Sequence, residues 1–158
     1  MADFLTNDPP KPGGYYPPVG FHFNVFFSGI SSEGDNDTRF QSVAGLNVEY
    51  DTESIKEGGE NRFEHKLPVR TKYPDLSLKR GMLTDSNVIT WVKNALQQRE
   101  FKPVQIIVTL LNENHQPLKK WNIMNAWPKK WSVSDFNAQE NSIVVETLDL
   151  SYSFFTTE

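Results

Sequence analysis

Phe21, Phe23, Val25 and Phe27 fall at period two, so they share one face of a strand. Residues 29–37, rich in Ser, Gly, Asp and Asn, read as a loop. Residues 40–50 predict a second strand, with Leu46, Val48 and Tyr50 on one face and Asn47 and Glu49 on the other. Strand-like sequence continues over 51–55 to Gly58-Gly59, a glycine pair that supplies positive φ cheaply and suits a hairpin turn; 62–67 then returns antiparallel. Residues 73–79 predict a further strand, with Leu76 and Leu78 on one face and Arg80-Gly81 ending it.

One helix is predicted, running to Arg99 with Asp85 or Ser86 as its cap. Val88, Ile89, Val92 and Leu96 form its apolar stripe, with Trp91 and Ala95 at the margin, and Pro103 prevents its continuation. Residues 104–111 are apolar apart from Gln105 and Thr109, which predicts a strand buried on both faces. A polar turn over 112–117 leads to a returning strand at 118–126, followed by Trp127-Pro128-Lys129-Lys130-Trp131 as a short connection. Over 142–155 the last strand turns Val144, Leu148, Leu150, Tyr152 and Phe154 one way and Thr147, Asp149, Ser151 and Ser153 the other. A strand with one polar face belongs to a sheet that is wet on one side.

These elements predict a mainly β fold: an antiparallel β-sandwich or partly closed barrel, with one flanking α-helix and a long protruding β-hairpin. Residues 1–18 hold Pro9, Pro10, Pro12, Pro17 and Pro18 around Gly13-Gly14, the pattern of an extended arm, on which Tyr15 and Tyr16 could anchor against a neighbour. Residues 19–158 form a single domain.

Composition sharpens this picture. The chain is 37% apolar, low for a self-sufficient core, so eleven Phe, five Tyr and four Trp must do much of the burying. A subunit that finishes its burial against copies of itself fits this balance. The net charge of −4 argues against a dedicated nucleic-acid binder. The absence of cysteine excludes disulfides and thiolate metal sites. No secretory pattern opens the chain and no apolar run reaches membrane-spanning length, so production and first assembly in the bacterial cytoplasm are expected.

The search for chemistry returns no catalytic, cofactor or metal residues. His22, His65 and His115 lie on separate segments without ligand spacing. No nucleophile elbow, phosphate loop or dinucleotide fingerprint is present; Gly58-Gly59 lacks the Lys-Ser/Thr and helix start of a phosphate cradle. Asp51 and Glu53 share a strand face as solvated carboxylates. Lys79-Arg80 and Lys129-Lys130 are too few for a DNA footprint and suit either solvent or acidic surfaces of other subunits. Trp127 and Trp131 suit packing against the sheet or helix, with a sugar-binding platform as the rival.

Several stretches, in order, resemble the tail tube proteins of contractile phages and phage-tail-like injection systems. They are 20–27 (GFHFNVFF), 40–46 (FQSVAGL), 57–61 (EGGEN), 66–68 (KLP), 76–81 (LSLKRG), 125–131 (NAWPKKW) and the final strand 143–150, with Glu146-Thr147-Leu148. The resemblance spans about residues 15–155. It implies a structural protein without enzymatic activity or cofactor. Its subunits would form hexameric rings, stacked into a hollow tube inside a contractile sheath, with each subunit adding strands to a barrel lining the channel. The hairpin residues Asp51, Glu53, Lys56, Glu57, Gly58, Gly59, Glu60, Arg62, Glu64 and Lys66 would then reach an adjacent ring. Lys79, Arg80, Gly81, Asn125, Trp127, Pro128 and Trp131 would serve packing, while Thr147, Asp149, Ser151 and Ser153 would suit a wet lumen.

Implied partners are the subunit itself, the sheath, baseplate or hub proteins, tube-terminating proteins, and cargo or DNA passing through the lumen. The particle would be a phage tail or an extracellular or cell-anchored injection device. The long arm and the acidic 29–37 loop depart from the minimal pattern and raise the alternative of a tube-initiating or baseplate-proximal ring.

Overall fold

A computed structural model describes residues 20, 22–30, 36–56, 58–59, 62–139 and 141–158. The proposed arm at 1–18, together with Glu57 and Glu60 of the hairpin tip, lies outside them.

Among the described residues nine strands and one α-helix follow one another: β1 (Phe23–Phe27), β2 (Ser42–Ala44), β3 (Glu49–Ile55), β4 (His65–Lys72), β5 (Leu76–Gly81), α1 (Asn87–Gln98), β6 (Val104–Leu111), β7 (Pro117–Val133), β8 (Val145–Ser151) and β9 (Phe154–Thr157). Seven of the strands form one sheet, ordered β1-β6-β7-β8-β5-β2, with β9 also on β7. β3 and β4 pair only with each other. Every pairing is antiparallel. The sheet does not close: β1 and β2 are its two ends, and a groove of about 240 Å³ between them is lined by Phe23, Val43, Leu46, Val108, Leu110 and Trp121. The expected partly closed barrel with one helix and a separate hairpin is what forms.

The 17-residue β7 is the spine of this sheet. Its first half pairs with β6 and β9, its second half with β8. The change of partner falls near Asn125, which adopts φ 56°, a left-handed conformation that Asn tolerates better than most residues. The 127–131 stretch is therefore not a short connection, as expected, but the second half of a strand. Pro128 is fully buried, pairs with Leu150 and borders the register shift before Lys130. A bulge is one of the few places where a sheet accommodates a residue with no N–H to donate.

Two other predicted strands are broken. The 40–50 strand divides into β2 and β3 because Gly45 takes φ 95°, where an added Cβ would run into the Asp75 carbonyl oxygen. The 142–155 strand divides at Tyr152 and Ser153, so that β8 and β9 join different halves of β7.

The core gathers the inward faces of β1 (Val25, Phe27), β6 (Ile106, Val108), β7 (Ile123, Ala126), β8 (Leu148, Leu150) and β5 (Leu76, Leu78) beneath α1. Burying side chains of this size stabilises by about 1.5–3 kcal/mol each, before the entropy of ordering is set against it. β6 is fully buried along one face only, at Ile106 and Val108, and half-buried along the other.

The Ser86 side chain opens α1 by accepting the Ile89 N–H at 3.2 Å, and Arg99 ends it in a left-handed conformation at φ 57°. Its buried face is Val88, Ile89, Trp91, Val92 and Ala95. Trp91 is thus a core residue whose ring meets Phe27 edge-on at 6.0 Å, whereas Leu96, expected in the stripe, is 41% exposed.

Candidate assembly surfaces

Every residue of β3 and β4 is exposed. Cross-strand register sets Ile55 beside His65, Glu53 beside Leu67, Ser54 beside Lys66 and Glu49 beside Lys72, with a register shift between Tyr50 and Thr52. Ion pairs along the hairpin include Lys56–Glu64 at 3.3 Å and Lys72–Glu49 at 3.7 Å, both solvated. Of the residues expected to reach a neighbour, Asp51, Glu53, Lys56, Gly58, Gly59, Arg62, Glu64 and Lys66 are all exposed here. The sequence-based account of a polar hairpin missed its apolar content: Tyr50, Phe63, Leu67 and Val69 are each about half or more exposed. An isolated two-stranded hairpin is marginal in water, and these side chains add apolar area to its exposed surface.

Thr147, Asp149 and Ser151 lie on the face of β8 opposite Leu148 and Leu150 and are half-buried; Ser153, beyond the strand, is exposed. Lys79 and Gly81 are exposed at the surface of β5. Trp127 packs edge-on against Phe101 at 5.7 Å, and the indole N–H of Trp131 donates to Glu146 Oε2 at 3.4 Å. Both rings are thus engaged in packing. Lys129 bridges Asp75 of its own chain at 2.6 Å.

Arg80 packs inside, as the family resemblance implies, and is not the solvent- or subunit-facing cation expected of the Lys79-Arg80 pair. Between the exposed Lys79 and Gly81 it points inward and is 3% exposed. Its Nε donates to Glu146 Oε1 at 2.5 Å, one terminal nitrogen to Asp37 Oδ1 at 3.3 Å and the other to Ser86 Oγ at 2.7 Å. The guanidinium also lies 5.1 Å from the centre of the Phe40 ring. Asp37 accepts a hydrogen bond from the Ser86 hydroxyl and another from the Asn87 N–H at 2.8 Å. One cation thereby ties β8 and the segment before β2 to the N-terminus of α1, where free amides and the helix dipole favour a carboxylate. Three charged groups can share so small a volume because their polar atoms are hydrogen-bonded together. Arg80 is accordingly unavailable as a surface cation.

A second corner involves Tyr152, whose hydroxyl donates to the Gly45 carbonyl at 3.1 Å while its ring lies against Tyr73. Burial, followed by the nearby Tyr73 and Asp75, pushes its phenol from 10.0 up to about 12. His22 and His115, distant in sequence, meet edge to face at 4.5 Å. Among the described residues no group of three His, Asp or Glu is placed to hold a metal, and no helix is long and apolar enough to cross a membrane.

The profile of the T4-like virus tail tube protein gp19 family matches residues 19–156. The chain belongs to this family. It is a tail tube protein, and the resemblance drawn from its ordered motifs holds. No curated protein sequence matches it. Among solved structures, it is similar to a chain of the anti-feeding prophage baseplate, 6-fold symmetrised, with TM-score 0.81 and 27% identity over 90% of this chain and 96% of that one. A chain of the PVC extracellular contractile injection system, in the extended sheath–tube complex, gives TM-score 0.75 and 26% identity over 91% and 93%. A chain of the anti-feeding prophage tube-terminating cap gives 0.75 and 27%, over 98% of each.

Within this tail tube protein the exposed hairpin and the buried Arg80 cluster are distinct. Glu146 and Asp37 were not found from the sequence. Glu146 has a parity signal, since it stands two residues before Leu148 and therefore on the inward face. Asp37 had no signal, because its partners come from distant segments.

Proposed function

We propose that this tail tube protein builds the inner tube of a contractile tail or injection system, as hexameric rings stacked around a central channel. The observation that carries this is its likeness, over nearly its whole length, to a chain of an extended sheath–tube complex. The sheath would enclose the tube, the baseplate would start it and a cap would end it, as the contexts of the similar chains suggest. A baseplate-proximal ring is not favoured, since the matching profile is that of the tube protein itself. The role is structural rather than enzymatic, and the subunit is made in the bacterial cytoplasm before it joins a phage tail or extracellular particle.

Thr147, Asp149, Ser151 and Ser153 would face the lumen, where a polar surface lets DNA or protein cargo pass without adhering. The β3–β4 hairpin would reach an adjacent ring. Contacts of this kind are individually weak and gain strength from repetition.

Purified protein should form rings or tubes in negative-stain images, with masses in multiples of the subunit. A stable monomer at high concentration would overturn the proposal. Replacing 52–64 with a tight turn should leave the domain folded and block stacking; tubes of normal length would remove the hairpin from that role.

A further inference from the structure

The groove on the open side of the sheet lies where the chain enters the fold. β1 and β2 are the two ends of the sheet, and about 240 Å³ separates them. Phe23, Val43, Leu46 and Trp121 line this groove and pack against the core, yet each is only half-buried, so apolar area is left in water. Gln41 and Ser42 add polar groups to the lining. Gly20 lines the same groove. Immediately before it the sequence reads Tyr15-Tyr16-Pro17-Pro18-Val19. Three residues separate Tyr16 from Gly20, and an extended chain spans at most about 3.3–3.6 Å per residue, so Tyr16 is tethered within roughly 14 Å of Gly20.

We propose that the aromatic pair Tyr15-Tyr16 docks in the groove of its own chain. A phenol has an apolar ring and a polar tip, which suits a groove that presents Phe23, Leu46 and Trp121 to the ring and Gln41 and Ser42 to the hydroxyl. Pro17 and Pro18 restrict the intervening backbone, so less entropy is lost on docking. They also carry no N–H. An arm laid beside the free edges of β1 and β2 therefore covers them without presenting a new strand for pairing. The chain's own arm is the occupant because its point of attachment is part of the groove wall. So short a tether holds the rings at an effective concentration on the order of millimolar, which a second copy's arm does not share. The contact belongs to each subunit by itself and does not depend on the tube reading.

The test places the photo-crosslinker p-benzoylphenylalanine at position 16 of the full-length chain and mixes isotopically heavy with light protein before irradiation. Mass spectrometry should find adducts on Phe23, Val43, Leu46 or Trp121, with both linked peptides carrying the same label. Adducts joining heavy to light peptides would give the groove to another copy; adducts confined to other surfaces would leave the arm elsewhere. Either result overturns the proposal. Hydrogen exchange gives a readout without the crosslinker. Tyr15→Ser with Tyr16→Ser should leave the fold intact by circular dichroism, since the core is built from later residues. It should speed exchange of the amides of residues 41–46 roughly tenfold at matched oligomeric state. Tyr15→Phe with Tyr16→Phe keeps both rings and should retain the protection. Exchange left unchanged by the serine pair would overturn the proposal.

Discussion

The Arg80 cluster and the β3–β4 hairpin use the same residue types in opposite ways. In the cluster, Arg80, Glu146 and Asp37 are each at most 5% exposed and are held by named hydrogen bonds. In the hairpin every residue of β3 and β4 is exposed, and its ion pairs Lys56–Glu64 and Lys72–Glu49 are solvated. A buried charge is held tightly because leaving it unpartnered is costly, so the cluster fixes where α1 meets the sheet. An exposed charge costs little to hold and contributes little to folding, so the hairpin can present its charges to another copy. The buried cluster that stabilises the fold and the hairpin proposed for assembly are therefore different parts of the chain.

The largest expected effect breaks the cluster. Arg80→Met leaves Glu146 and Asp37 buried without their cation and should cost about 3–5 kcal/mol in urea denaturation. A loss below about 1 kcal/mol would mean that the cluster does not hold the helix. Gly45→Ala tests the packed side through the backbone: a positive φ and the approach of the Asp75 carbonyl should cost about 1–3 kcal/mol by the same measurement.

Tyr152→Phe removes the hydrogen bond to Gly45 and should cost about 0.5–1.5 kcal/mol at neutral pH. It should also change the alkaline profile. The folded phenol titrates near 12 rather than 10.0, so between those values the unfolded chain has lost its proton and the native one has kept it. Wild-type stability is therefore full below pH 10.0 and falls as pH rises toward 12; the Phe variant should lack this component of the fall. Smallest on folding are Asp51→Ala and Lys66→Ala, each within about 0.5 kcal/mol of wild type, while both should weaken assembly in sedimentation. Equal loss of stability from hairpin and cluster variants would erase the distinction between the two regions.

Much of this was legible in the chain. The strand at Phe23–Phe27 and the helix from Asn87 to Gln98 follow from periodicity and a Ser cap, and the hairpin from its glycine pair. The interrupted strands were not legible, because Gly45 and the change of partner along β7 depend on distant neighbours. The hairpin was half legible: its polar character showed in the sequence, whereas the exposure of Tyr50 and Val69 did not.

By itself the sequence determined the β-rich class, the helix and the ordered motifs of the tail tube family. Such features depend on neighbours a few residues apart, where side-chain period and turn chemistry act. Only the tertiary structure decided that Arg80 turns inward while Lys79 beside it faces out, and that Glu146 and Asp37 meet it. It also decided that Glu53 and Lys66 stand on opposite faces of their hairpin. A one-residue change of register exchanges the faces of a strand, and register is set by pairing across the fold rather than along the chain.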